Sequence, residues 1–211
     1  MKDRIIANHL LDAEAVTLSP LKPYTWVSGL KAPIYCDNRV TISLVNIRKD
    51  ITNAFVEKIK EHFPEVDAIV GTATAGIPQA CWIADKMDLP TAYVRSKSKE
   101  HGKTNQIEGK LKKGSKIIVI EDLISTGGSS ILACQALIEA GFEVLGVYSA
   151  FTYEMSAAKE NFEKAGFKNL SLTSFSVLID EAKKRNYIDD KGLEMLKSWQ
   201  EDPKKYSDMF Q

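Results

Sequence analysis

Short apolar runs alternate with longer amphipathic stretches along most of the chain. VDAIVGTA (66–73), TAYVRS (91–96), KIIVIED (116–122), VLGVYSAF (144–151) and LSLTSFSV (170–177) are short and rich in β-formers. The segments 77–87, 129–140 and 154–165 between them read as helices. Five strands alternating with helices predict βαβ units. They imply an α/β fold whose mostly parallel five-stranded sheet is flanked by helices on both faces.

The N-terminal third has a different rhythm. Residues 3–15 read as an amphipathic helix with Ile5, Ile6, Leu10 and Leu11 on one side. Residues 19–43 hold Pro20, Pro23, Gly29 and Pro33, with Tyr24, Trp26, Val27, Ile34 and Tyr35 between them, a pattern of short strands and turns. Helical periodicity returns at 45–62. The reading is one unit over 1–211, with N-terminal helices and a small subdomain (1–63), an α/β core (64–177) and a C-terminal helical segment (178–211). Trp199 and Tyr206 in that last segment suit packing on the N-terminal subdomain or on a second subunit.

Composition narrows the function classes. The 211 residues carry 28 basic and 28 acidic side chains, so the strong positive excess of a general nucleic-acid binder is missing. Cys36, Cys81 and Cys134 are far apart and form no CxxC pair, which supports neither a disulfide framework nor a zinc site. Cys81 and Cys134 fall in apolar helical stretches and read as core residues. No apolar run is long enough to span a membrane, and Met1-Lys2-Asp3-Arg4 does not resemble a signal peptide. A reducing, cytoplasmic setting fits these features, with no nucleic-acid or membrane partner.

The strongest chemical signal is the string from Ile117 to Ser130. Four apolar β-formers end in Glu121-Asp122, and Leu123, Ile124, Ser125, Thr126, Gly127, Gly128 and Ser129 lead into a helix. Ligands of open α/β sheets bind beyond the carboxyl ends of the strands, and a helix N-terminus offers free N–H groups to a phosphate. The glycine spacing is neither that of a Walker A loop nor GxGxxG. Two carboxylates ahead of a hydroxyl-rich loop suit a phosphorylated ribose, with ring hydroxyls on the acids and the 5-phosphate on the loop. A plain strand–helix turn with Ser129 as N-cap is the bland alternative.

A second signal is basic. Arg95, Lys97, Lys99, His101 and Lys103 crowd into a polar stretch, and Gly102 and Gly109 punctuate it. Long loops of this kind are usually lids, and a cationic one can close over a diphosphate. Taken alone, such a run is usually a solvated surface. Thr72, Ala73, Thr74, Ala75 and Gly76, ahead of Pro78, form a third loop whose small residues allow backbone N–H groups to meet a diphosphate. A tight strand–helix turn would look the same.

The acid pair with its loop resembles the phosphoribosyl pyrophosphate motif of the type I phosphoribosyltransferases. Arg95-x-x-x-Lys99-x-His101-Gly102, followed by Ile107-Glu108-Gly109, resembles the catalytic loop of the orotate phosphoribosyltransferases. Ser28-Gly29, Pro33, Tyr35, Asp37 and Arg39 resemble that family's hood segment. The resemblance covers about residues 20–155. It implies a type I phosphoribosyltransferase fold with a small N-terminal hood. Its implied catalytic groups are Lys99, His101 and Asp122. Phosphoribosyl pyrophosphate would lie on Arg95, Lys99, His101 and residues Glu121 to Ser129, with Thr72 to Gly76 as pyrophosphate loop. Orotate would lie near Ser125, Ser28, Gly29 and Tyr35. Magnesium would be held through the substrate without direct protein ligation, and a homodimer would carry the 96–109 loop into the neighbouring site.

Three positions depart from patterns found in some members: Ser96 replaces a lysine, Ala75 replaces another, and Phe151-Thr152-Tyr153 stands where an arginine binds the orotate carboxylate. A purine phosphoribosyltransferase or a non-catalytic regulator binding the same ligand would keep the acid pair and its loop. The Lys-x-His-Gly loop and the Ser-Gly hood favour orotate.

Overall fold

A computed structural model describes residues 2–26, 29–96 and 106–210. The chain begins with helix α1 (Lys2–Asp12), followed by the short strands β1 (Val16–Leu18), β2 (Tyr24–Thr25), β3 (Lys31–Ala32) and β4 (Ile34–Cys36). A 3-10 turn (Asn38–Ile42) and α2 (Val45–His62) lead to β5 (Ala68–Thr72), α3 (Gly76–Met87), β6 (Thr91–Val94) and β7 (Ile107–Glu108). Then come β8 (Lys116–Ile124), α4 (Gly128–Glu139), β9 (Glu143–Thr152), α5 (Ser156–Ala165) and β10 (Asn169–Ser174). Three helices close the chain: α6 (Phe175–Lys184), α7 (Asp190–Glu201) and α8 (Pro203–Asp208).

The main sheet has the order β10-β9-β8-β5-β6-β7, and every pairing in it is parallel except β6 with β7. The five expected strands are therefore present, and a sixth is added. Ile107 and Glu108 fold back onto Val94 and Tyr93, with Ile107 buried. A two-residue strand has too few positions to show a period-two pattern, so it hid inside the polar stretch.

Strand β8 shows why the sheet needs cover on both faces. Ile117, Ile118, Val119 and Ile120 are all fully buried. Ile118 and Ile120 join the core beneath α1, α2, α3, α6 and α7, whereas Ile117 and Val119 join the core beneath α4 and α5. Successive side chains point to opposite faces, so an uninterrupted apolar run requires two apolar layers. Helix α2 supplies one of them with Ile51, Phe55 and Ile59, spaced one turn apart on a single face.

Several expectations shift in detail. Helix α1 buries Ile6, Ala7, Leu10 and Leu11, while Ile5 is exposed on the opposite side. Cys134 is buried as expected, but Cys81 is exposed, because α3 turns Gln79, Ala80, Ile83 and Ala84 inward instead. The fifth parallel strand stops at Ser174, and the single C-terminal helical segment is three helices, interrupted at Asn186 (φ 59°) and at Asp202.

Those last helices hold the N-terminal segment. The ring of Trp199, 1% exposed, lies 5.6 Å from Trp26, 5.8 Å from Tyr153 and 5.3 Å from Phe175. Tyr206 donates its hydroxyl to the Pro20 carbonyl at 2.7 Å, and the Ser207 hydroxyl accepts from the Lys31 N–H at 2.9 Å. Of the two placements open from sequence for this segment, the structure shows packing on the N-terminal subdomain.

Candidate active site

The chain leaves β5 toward β6 and leaves β8 toward β9, on the opposite side. The crevice between the carboxyl ends of β5 and β8 is thus the switch point of the sheet, where open α/β folds bind ligands. Two loops meet there. Ala73, Thr74 and Ala75 form one wall of a cleft of about 350 Å³, and residues Glu121 to Ser130 form the other.

Close backbone packing builds the first wall. A Cβ on Gly76 would lie 2.4 Å from the Ile120 carbonyl oxygen, and one on Gly71 would lie 2.8 Å from the Gly76 oxygen. The start of α3 therefore rests directly on β5 and β8. The Thr72 hydroxyl donates to the Ile120 carbonyl at 3.1 Å, and the Ala73 N–H donates to the Val94 carbonyl at 2.9 Å. The Ala73–Thr74 peptide is cis.

The second wall depends on Gly127. It has φ 80°, and a Cβ there would lie 2.4 Å from the Phe162 ring. Only glycine meets both conditions at low cost. Gly127 is also the N-cap of α4, with no side-chain cap, so the first N–H groups of the helix remain available at the cleft. Asn161 donates to the Thr126 carbonyl at 2.9 Å and steadies the loop from α5. Ser129 lies inside the helix and does not act as its N-cap.

Glu121 and Asp122 form the floor. Burial raises the Glu121 pKa to about 7; the Thr72 hydroxyl opposes the rise, the Asp122 charge adds to it, and the Ser130 hydroxyl opposes it. Burial also raises Asp122, against a hydrogen bond with Glu121. Two acids this close resist losing both protons. Ser130, 1% exposed, donates to Glu121 Oε2 at 2.9 Å.

A stability profile follows from this arrangement. Folded Glu121 keeps its proton to higher pH than unfolded Glu121, so the folded state binds more protons between about 4.5 and 7. Its contribution to stability must fall as pH rises through that window and level off above it. Ser130→Ala removes a hydrogen bond that favours the charged form. The fall between pH 5 and pH 8, measured by urea unfolding, is expected to grow by about 1 kcal/mol.

Arg95 follows β6 and lies beside Thr72, Ala73 and Ser129 in an adjoining cleft of about 210 Å³. Its guanidinium is 3.6 Å from Glu108, and its N–H donates to the Gln106 carbonyl at 2.9 Å. The structure thus brings Arg95, the 72–76 loop and the 121–129 loop together. Lys99, His101 and Ser28 lie outside the described residues.

The described hood residues have the following places. Gly29, with φ 85°, closes a turn on the Trp26 carbonyl at 2.8 Å, and Tyr35 is 47% exposed beside Tyr24. Phe151, near the end of β9, and Tyr153, just after it, are buried, and Tyr153 packs on Trp26 of the hood.

Two contributors were not picked out from sequence. Ser130 directly follows the recognised loop and orients Glu121. Asn38 donates its side-chain amide to the Asp122 carbonyl at 2.7 Å and ties the hood to the floor. Ser130 carried a signal, as one more hydroxyl at the end of the loop. Asn38 carried none, because its partner is 84 residues away.

Two loops and a pair of acids thus meet at the switch point of a parallel sheet, and the phosphoribosyl transferase domain family matches residues 43–196. The orotate phosphoribosyltransferase of Listeria monocytogenes is 50% identical over 204 residues, covering 97% of this chain and 98% of that protein. That of Bacillus cereus (strain ATCC 10987) is 54% identical over 198 residues, covering 94% of each. The crystal structure of orotate phosphoribosyltransferase from Aeropyrum pernix superposes with a TM-score of 0.76 at 23% identity, over 87% of this chain and 99% of that one. The chain belongs to the phosphoribosyl transferase family and, within it, to the orotate phosphoribosyltransferases.

Proposed function

We propose that this protein transfers the 5-phosphoribosyl group from phosphoribosyl pyrophosphate to orotate, giving orotidine 5′-monophosphate and diphosphate, a step of pyrimidine synthesis. The observation that carries the reading is the convergence of three elements at one switch point: the acid pair, the hydroxyl loop on the N-terminus of α4, and the small-residue loop before α3. The names of its relatives agree.

In this reading the 5-phosphate rests on Ser125 to Ser129, where the first N–H groups of α4 and the loop hydroxyls can donate to it. Glu121 and Asp122 take the ribose hydroxyls. The diphosphate lies against Thr72 to Gly76, with Arg95, Lys99 and His101 supplying positive charge. The bond from the anomeric carbon to the diphosphate oxygen breaks with its electron pair leaving on the diphosphate. The base nitrogen forms the new bond and gives up its proton. Positive charge develops on the ribose ring, and the carboxylates below it stabilise that charge. Much of the remaining rate comes from holding the two reactants in line.

The donor set fits magnesium. The described residues hold no cluster of three or more His, Cys, Asp or Glu side chains, while two carboxylates sit at the phosphate cleft. Magnesium prefers oxygen ligands and usually shares them between one or two carboxylates, phosphates and waters. When bound, it would neutralise diphosphate charge, and Glu121 and Asp122 are the residues that would face it. No described helix is long and apolar enough to cross a membrane. We further propose a cytoplasmic homodimer in which the 96–109 loop of each subunit serves its neighbour.

The test is a spectrophotometric assay with phosphoribosyl pyrophosphate, magnesium and orotate, run beside adenine, hypoxanthine and uracil. Orotate absorbance is expected to fall only in the complete mixture. Lys99→Ala is expected to lower kcat about 10- to 100-fold, the loss of one charge-assisted contact to the leaving group. Turnover of a purine in place of orotate would keep the transferase and discard the base. Binding without any turnover would leave a regulator.

A further inference from the structure

Arg39 is an exposed cation that the structure holds rigidly. The 3-10 turn carrying it is anchored on both sides of that residue. Asn38, 5% exposed, donates to the Asp122 carbonyl at 2.7 Å, and Thr41, 7% exposed, donates its hydroxyl to the Asn38 carbonyl at 2.7 Å. Asp37 grips one edge of the guanidinium, accepting from Nε at 2.6 Å and from Nη2 at 2.8 Å. Among the described residues Nη1 has no partner, and the side chain is 62% exposed. An exposed arginine normally loses rotamer freedom when it grips a ligand. Here much of that loss has already occurred in the fold, and the outer edge of the guanidinium faces away from Asp37.

The position has a chemical meaning once orotate is the acceptor, and the inference rests on that reading. Orotate carries its carboxylate on the ring carbon next to the nitrogen that attacks the ribose. The carboxylate must therefore approach the anomeric carbon, above the floor made by Glu121 and Asp122. Those acids repel it. Asn38, the residue before Arg39, is bonded to the Asp122 carbonyl at 2.7 Å, so the 3-10 turn carries Arg39 next to the segment that makes this floor. Lys31, the other hood cation, has its Nζ on the Thr25 hydroxyl at 2.8 Å.

We infer that Arg39 is the specificity residue for the orotate carboxylate, using the guanidinium edge that Asp37 leaves free. Asp37 is then a positioning residue, and the pair selects 6-carboxypyrimidines over uracil. A bidentate match of this kind is geometric as well as electrostatic, so lysine at this position should restore only part of the discrimination.

The experiment compares binding of orotidine 5′-monophosphate and uridine 5′-monophosphate, which differ only in the carboxylate. It uses calorimetry on the full chain and on Arg39→Gln, Arg39→Lys and Lys31→Gln. Arg39→Gln is expected to weaken orotidine 5′-monophosphate about 30- to 100-fold and uridine 5′-monophosphate less than about threefold, a difference in the range of a lost charge-assisted hydrogen-bond pair. The KM for phosphoribosyl pyrophosphate should stay within about twofold. Arg39→Lys should fall between, and Lys31→Gln should keep the parent ratio. Equal weakening of both nucleotides by Arg39→Gln would mean that the residue only shapes the hood, and unchanged affinity for both would mean that it only partners Asp37. Either result overturns the assignment. Thermal melting of each variant separates these outcomes from unfolding. Absence of orotate turnover in the parent would instead defeat the reading of the reaction itself.

Discussion

Gly76→Ala is expected to lower kcat/KM for phosphoribosyl pyrophosphate by about 10²- to 10³-fold and to cost about 1–3 kcal/mol of stability. The added methyl would lie 2.4 Å from the Ile120 oxygen and 2.8 Å from the Thr72 hydroxyl. Neither neighbour can yield freely. Ile120 is the middle of the central strand, paired with Gly71 on one side and Tyr148 on the other. The start of α3 must move instead, and it carries the 72–76 loop with it. A displacement near 1 Å in a positioning element is enough for a loss of this size. Steady-state kinetics and a thermal melt check the two halves together. Gly128→Ala is the control for stability, since a Cβ there meets nothing within 4 Å. A Gly76→Ala protein with parental kinetics would mean that the 72–76 loop does not position substrate.

Asp122→Asn is expected to lower kcat by about 10²- to 10³-fold, the usual scale for removing one preorganised group that faces developing charge. Its stability should move the other way. Burial already holds both acids above the ordinary carboxylate range, and the Asp122 charge raises Glu121 further. An amide at 122 removes one buried charge and frees Glu121 from repulsion, so urea unfolding at pH 8 should show an equal or more stable protein. Lost activity with gained stability distinguishes a functional carboxylate from a structural one. A variant that lost both would assign Asp122 a role in holding the fold.

The parts of this fold that were readable in the sequence share one property: their signal is local and repeated. Ile117 to Ile120 could be recognised as a doubly buried strand because four apolar β-formers stand in a row. Glu121 to Ser129 could be singled out as a candidate phosphate loop at a strand end because the acids, hydroxyls and glycines are consecutive. What stayed hidden depends on distant partners. Ile107 and Glu108 become a strand only because β6 offers them an edge. Ile5 looked buried beside Ile6, and only the packing of α6 against α1 decided which side faced inward. Cys81 resembled a core residue by composition, whereas the face of α3 was set by Ile83 and Ala84. The acid pair was legible, but not the hydroxyl and amide that hold it. Ser130 reaches back nine residues and Asn38 reaches forward 84.

The clamp between the two ends of the chain bears on the order of folding. Tyr206 meets Pro20 across 186 positions, and Ser207 meets Lys31 across 176. Contacts that span so much chain close late, because the loop between them must first be ordered. The β5–β8 crevice and its two loops use much nearer neighbours, with β5 and β8 paired across 49 positions, and can assemble earlier. The docking of the N-terminal segment on the C-terminal helices is therefore expected to come after the floor of the crevice is built.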